Sequence, residues 1–136
     1  MQKRIAILGS SGSIGQQTLE VISHFPKEFT PTYLTVNNNA KVLLAQIQRY
    51  KPKGVVVLDE KIGKEVRQSV NSSIEVLCGE EGLLEIVQRN DVDIVVSSLV
   101  GFAGLKPTIK AIEGKKKIAL AIRKHWSLPA RSLCLW

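Results

Sequence analysis

The sequence holds little with which to do chemistry by itself. It contains only two cysteines and two histidines. Cys78 and Cys134 have no partner at metal-ligand spacing, which excludes a zinc-type framework and leaves ordinary reduced thiols. There is no Ser/His/Asp arrangement and no metal-ligand cluster, so no catalytic or metal-binding residue is assigned. His24 and the pair Glu80-Glu81 fall near predicted helix ends, where they serve the helix dipole. Aromatic residues make up 5% of the chain and are not interleaved with basic ones as nucleic-acid platforms are. No apolar run approaches the roughly 20 residues of a membrane span. After Met1-Gln2-Lys3-Arg4 the first apolar run is Ile5 to Leu8, too short for the core of a signal peptide. A cytoplasmic protein with neither a membrane nor a nucleic-acid partner is expected.

What is present is suited to building a core. The chain has 136 residues, 44% of them hydrophobic, enough for one compact domain but short for separate cofactor and substrate domains. The formal net charge of +7 is spread over several segments. Arg123, Lys124 and Arg131 carry part of it in a tail without acidic residues, leaving a mildly basic body that suits anionic small molecules.

Strand-like runs alternate with helical periodicity, the pattern of a parallel sheet covered by helices. Ile5 to Leu8 predicts the first strand. Ile14, Thr18, Val21, Ile22 and Phe25 then form one apolar stripe on a helix that Pro26 ends. Thr32 to Val36 predicts the second strand, and Ala40 to Tyr50 a helix burying Leu43, Leu44, Ile47 and Tyr50. Val55 to Leu58 is a continuous apolar run, as in a strand buried on both faces. A polar helix near Lys61 to Ser69, a strand at Ile74 to Leu77 and a helix at Glu80 to Gln88 follow. Ile94 to Val96 is another buried strand and Leu105 to Glu113 another helix; Lys115-Lys116-Lys117 is an exposed turn, and Ile118 to Ala121 is the last strand. The fold class is therefore α/β, a Rossmann-like doubly wound, mostly parallel sheet with helices on both faces and ligands outside the carboxyl ends of the strands.

The stretch GSSGSIG, Gly9 to Gly15, sits where a phosphate site needs it, between a strand and a helix. Glycines let backbone approach a pyrophosphate, and the free N–H groups and dipole of a helix start favour the anion. Ser10, Ser11 and Ser13 add hydroxyls. The spacing is G-x-x-G-x-x-G, not the G-x-G-x-x-G of NAD dehydrogenases, and a serine-capped tight turn is the plainer alternative. After the second strand, where an NAD site carries Asp or Glu for the adenosine ribose, the residues are Asn37-Asn38-Asn39 followed by Lys41. Amides can donate to a 2′-phosphate and no carboxylate stands there, so NADP is favoured over NAD; a polar turn tolerant of left-handed backbone is the other reading. The loop Ser97 to Thr108, with Gly101 and Gly104, either walls the cofactor crevice or is kept small for packing.

Three segments carry a resemblance: AILGSSGSIGQQTLEVI at Ala6 to Ile22, NNNAKVLLAQ at Asn37 to Gln46 and VGFAGLKPTIKAI at Val100 to Ile112. The chain resembles the N-terminal domain of the 1-deoxy-D-xylulose 5-phosphate reductoisomerase family from Met1 to about Ala121. That family uses NADPH and a divalent metal, Mg or Mn, to rearrange and reduce its substrate to 2-C-methyl-D-erythritol 4-phosphate in non-mevalonate isoprenoid synthesis. The resemblance implies cofactor contacts at Ser11, Gly12, Ser13 and Ile14, and at Asn37, Asn38 and Asn39. Many members have Gly and a basic residue at the first two asparagine positions. It also implies a homodimer, with catalytic, metal-binding and C-terminal helical parts lying beyond this stretch. Another NAD(P)-dependent oxidoreductase of the same fold, or a stand-alone nucleotide-binding module, are the alternatives.

The resemblance breaks after Ala121. The family continues with Asn-Lys-Glu, whereas this chain has Ile122-Arg123-Lys124-His125-Trp126-Ser127-Leu128-Pro129-Ala130-Arg131. A family-like continuation, Asn-Lys-Glu-Thr-Leu-Val-Val-Ala-Gly-Glu, with suitable codons and one nucleotide deleted, translates as Ile122 to Ala130 in order. Residues 1–121 are thus expected to form the NADP-binding domain and residues 122–136 an out-of-frame tail. Such a chain would lack the catalytic half and not turn over, and Trp126, Leu128, Leu133, Leu135 and Trp136, without a native counterpart to pack against, would promote association.

Overall fold

The computed structural model describes residues 3–97, 117–121 and 133–135. They form a sheet in the order β4-β3-β2-β1-β5-β6-β7, with strands β1 (Lys3–Leu8), β2 (Phe29–Val36), β3 (Gly54–Val57), β4 (Glu75–Cys78), β5 (Ile94–Ser97), β6 (Lys117–Ala121) and β7 (Leu133–Leu135). All pairings are parallel except β6 with β7. Helices α1 (Ser13–Ser23), α2 (Ala40–Tyr50) and α3 (Glu60–Ser69) link β1 through β4 in one direction across the sheet. Helix α4 (Gly79–Ile86) then carries the chain back to β5 on the other side of β1. Because parallel crossovers are right-handed, this reversal sends α4 to the opposite face.

Both faces of the sheet are consequently apolar. Along β1, Ile5 and Ile7 pack with Leu19, Ile22, Leu43, Ile47 and Val66 under α1 to α3, while Ala6 and Leu8 pack with Leu83, Ile86 and Val95 under α4. The continuous run Val55 to Val57 is buried throughout, as its composition requires.

Three expectations are corrected. The buried line of α1 is Gly15, Leu19 and Ile22, and Val21 and Phe25 are exposed at 57% and 48%. The inward face begins with a glycine, which carries no hydrophobic signal, so the sequence pattern placed Ile22 correctly but drew the stripe through Val21 and Phe25 and missed Gly15 and Leu19. Strand β2 starts at Phe29, not Thr32, and runs through Pro31, with the register against β1 slipping between Ile5 and Ala6; β3 pairs only with Tyr33–Val36, so Pro31 lies where β2 has a single neighbour and its missing N–H is tolerated. Finally, Ile118 to Ala121 is not the last strand: Leu133–Leu135 pairs antiparallel with Ala119–Ala121, satisfying backbone groups that β6 would otherwise leave open on that side. The helix expected at Leu105 to Glu113, most of the loop beyond Ser97, and Trp126, Leu128 and Trp136 lie outside the described residues.

Ion pairs gather at the amino ends of the strands, the edge opposite Gly9. Asp93, before β5, accepts from the Arg4 side chain at 3.1 Å and the Arg4 backbone N–H at 2.9 Å. These bonds hold its carboxyl down to about 2. Arg89 clasps Glu75 with two bonds, also meets Glu85, and donates to the Tyr33 hydroxyl at 3.2 Å; it lowers the Glu75 pKa. Burial pushes Asp91 up, but hydrogen bonds from Lys53 and Tyr33 outweigh it and leave Asp91 below its ordinary value.

Carboxylates with depressed folded pKa values add stability above the unfolded value, 3.8 for Asp93, and lose it as pH falls through the folded one. The melting temperature is therefore expected to hold steady from neutral pH to about 5 and to fall by several degrees towards pH 2. Asp93→Asn should flatten that slope in a series of thermal melts.

Candidate functional site

Because β1 and β2 are parallel neighbours, their carboxyl ends bring the glycine loop and the asparagine turn to one edge of the sheet. The register sets Leu8 beside Thr35 on one side and Ser97 on the other. The chain turns at Gly9, whose φ of +84° falls in the region that favours glycine. Gly9 N–H donates to the Thr35 carbonyl and, at 2.9 Å, to Thr35 Oγ1, and Ser10 N–H donates to the same carbonyl at 2.8 Å. The Ser10 side chain, expected to face a ligand, is instead buried: its hydroxyl donates to Gln46 Oε1 at 2.8 Å. A hydroxyl held beneath the loop is not available to an anion above it.

Helix α1 begins at Ser13, with Gly12 at the cap and no side-chain cap bond. Its first backbone bond runs from Gln16 N–H to the Gly12 carbonyl at 2.9 Å, so the N–H groups of Ser13 and Ile14 precede the ladder and belong to the positive end of the helix. Gln16 Nε2 donates to the Ser11 carbonyl at 2.7 Å, tying that residue to the same turn. A Cβ on Gly15 would lie 2.6 Å from Ser10 Cα and 2.9 Å from Ser10 C, and closer still to the Gly9 carbonyl oxygen. Only glycine lets the helix start lie this near the loop. At Gly12 the nearest such atom would be 3.7 Å away.

Asn37, Asn38 and Asn39 are all exposed. Asn39 caps α2, its Oδ1 accepting from Val42 N–H at 3.2 Å, which leaves the amide nitrogen as the group it can offer outward. The Asn37 carbonyl accepts from Asp59 N–H at 2.9 Å. Asp59 is thus a carboxylate beside the turn that linear order conceals, and its Oδ1 is engaged in capping α3 through Lys61 and Ile62 N–H. Neither Gly9 to Ile14 nor Asn37 to Asn39 contains an acidic residue. His24 sits at the far end of α1, exposed and 3.8 Å from Glu20.

Residues 5–124 match the family model of 1-deoxy-D-xylulose 5-phosphate reductoisomerase. The chain belongs to this family. The reductoisomerase of Chloroherpeton thalassium is 52% identical over 120 residues, covering 88% of this chain and 31% of that protein. That of Porphyromonas gingivalis is 45% identical over 122 residues, covering 89% and 32%. Among solved structures, the reductoisomerase from Zymomonas mobilis in complex with NADPH has a TM-score of 0.83 at 30% identity, covering 91% of this chain and 33% of that one. A DOX-P reductoisomerase in complex with NADPH, fosmidomycin and magnesium gives 0.78 at 33% identity, covering 85% and 29%. The chain thus spans about 31% of the length of its first curated relative.

No group of three or more His, Cys, Asp or Glu side chains capable of holding a metal occurs among the described residues. Two buried polar side chains of the site, Thr35 and Gln46, escaped the sequence reading. Gln46 had a signal: it stands at i+3 from Leu43 and next to Ile47, on the buried stripe of α2, where an amide must have an internal partner.

Proposed function

We propose that residues 1–121 are the NADPH-positioning domain of a 1-deoxy-D-xylulose 5-phosphate reductoisomerase. The observation that carries this reading is the seating of the α1 start on the glycine loop through Gly15, in a chain whose relative from Zymomonas mobilis is a complex with NADPH. The N–H groups at Ser11, Gly12, Ser13 and Ile14 would receive the pyrophosphate at the positive end of α1. Asn37, Asn38 and Asn39 would bound the adenosine ribose and its 2′-phosphate, with amide donors in place of the carboxylate that favours NAD. The asparagines hold the phosphate by neutral hydrogen bonds, and Lys41 in the first turn of α2 adds positive charge nearby.

When bound, NADPH supplies the hydride that reduces the rearranged substrate. This chain's part is to fix the cofactor's adenosine and pyrophosphate. The divalent metal, Mg or Mn, and the ketose phosphate belong with the portion of the relatives this chain does not span, as does the homodimer contact. In this reading the enzyme serves isoprenoid synthesis in the cytoplasm, without nucleic-acid or membrane partners; no described helix is long and apolar enough to cross a membrane. Residues 122–136 are an out-of-frame tail, in keeping with a family match that ends at residue 124.

Titration of the 136-residue chain with NADPH and NADH, followed by nicotinamide fluorescence, tests the reading. Saturable binding of NADPH, about tenfold or more tighter than NADH, is expected, one tenfold step being about 1.4 kcal/mol. Equal affinity for the two, or saturable binding of a mononucleotide alone, would contradict it.

A further inference from the structure

Helix α2 touches the site at two places. Asn39 at its cap stands in the asparagine turn, and seven residues on, about 10 Å down the axis and on the same face, Gln46 reaches under the glycine loop. There Gln46 makes a reciprocal pair with a single residue: its Oε1 accepts from the Ser10 hydroxyl and its Nε2 donates to the Ser10 carbonyl, both at 2.8 Å. Both side chains are buried, Ser10 at 0% and Gln46 at 7% exposure. An acceptor and a donor side by side on one planar group are what this pairing needs, and burial makes each bond costly to leave unmade.

We propose that Gln46 is a positioning residue for the cofactor, the strut that fixes the height of the glycine loop relative to the asparagine turn. The claim rests on the NADPH reading above. Because α2 is rigid, the distance between the pyrophosphate donors at Ser11 to Ile14 and the ribose contacts at Asn37 to Asn39 is set by this one clamp together with the Thr35 bonds. Removing the clamp leaves every contacting residue in place but frees the loop to shift, and binding weakens through lost pre-organisation.

Gln46→Glu tests the idea because its protonation state chooses whether the clamp can form. A neutral carboxylic acid copies the amide, its O–H donating to the Ser10 carbonyl and its C=O accepting from the Ser10 hydroxyl. A carboxylate can only accept and is repelled by that carbonyl. Burial raises the pKa of the new acid. The ionisable groups that line a groove together with Gln46 are Glu20 from α1 and Arg49 and Tyr50 from α2; Glu20 and Arg49 are paired at 3.1 Å and exposed to solvent.

The 136-residue chain and Q46E are titrated with NADP+, which survives acid, between about pH 5.5 and pH 8 with the wild type as the reference at each pH. Q46E is expected to bind like the wild type at the acid end and about tenfold more weakly at the alkaline end. In the absence of cofactor, the backbone amide resonances of Gly9 to Ile14 in Q46E should move with a single titration that the wild type lacks. Ser10→Ala, which removes one bond and keeps the other, should weaken binding about threefold at every pH, and covers the case of Q46E failing to fold. Wild-type affinity of Ser10→Ala at every pH overturns the proposal, as does wild-type affinity of Q46E at a pH where its loop amides show the new acid to be ionised. If the wild type does not bind NADP+, the cofactor reading falls and takes the positioning claim with it, while the amide titration still reports the Ser10 clamp separately.

Discussion

Gly15→Ala is expected to weaken NADPH binding by about 100-fold and to destabilise the domain by about 1–3 kcal/mol, the range found for overpacked interiors. The added methyl would sit 2.6 Å from Ser10 Cα and 2.9 Å from Ser10 C. These are backbone atoms, so no rotamer change relieves the overlap and either the loop or the first turn of α1 must move. The loop is held from below by Thr35 and Gln46, which directs the strain into the helix start where the phosphate is proposed to bind. Gly12→Ala is the informative contrast. A Cβ there would lie 3.7 Å from the Gly9 carbonyl oxygen, an ordinary contact, and the backbone has a φ of −75° that any residue adopts. Its melting temperature should stay near that of the wild type, while binding weakens because the methyl stands in the space a pyrophosphate would occupy. Thermal melts and NADPH titrations of the two variants separate a packing glycine from an approach glycine.

The second large effect concerns turnover. The 136-residue chain assayed alone with the ketose phosphate, Mg or Mn and NADPH is expected to show no NADPH oxidation, since it spans about 31% of the length of its first curated relative. Reading the DNA from the Ala121 codon onward should reveal a family-like continuation beginning Asn-Lys-Glu in a neighbouring frame. A single-nucleotide repair that joins it to residues 1–121 should bring NADPH oxidation from background to an ordinary turnover, of order 1–1000 per second. Absence of such a frame would make residues 122–136 a genuine part of the protein and remove the catalytic expectation.

Much of the architecture was legible because parallel strands buried on both faces announce themselves. Val55 to Val57 and Ile94 to Val96 are unbroken apolar runs, and the helix expected at Ala40 to Tyr50 is α2 as found. The failures have physical causes. In α1 the inward position nearest the loop is Gly15, invisible to hydrophobic periodicity, while the apolar Val21 and Phe25 are exposed. Strand β7 has no alternation and only the residues Leu133–Leu135; its pairing is dictated by the edge of β6, not by its own pattern. At the site, the segments that face outward were read from glycine and asparagine spacing. The supports beneath them are polar: the place of Gln46 on the apolar stripe of α2 signals burial without naming its partner, Thr35 carries no such signal, and the fold reveals that they meet Ser10 and Gly9.

The most direct test of the cofactor assignment is an amide chemical-shift map of the 136-residue chain during titration with NADPH and, separately, NADH. Both ligands are expected to move Ser11, Gly12, Ser13 and Ile14, and NADPH to move Asn37, Asn38 and Asn39 further than NADH does, through the 2′-phosphate. Shifts confined to other parts of the sheet, or identical shifts at the asparagines with both ligands, would contradict it.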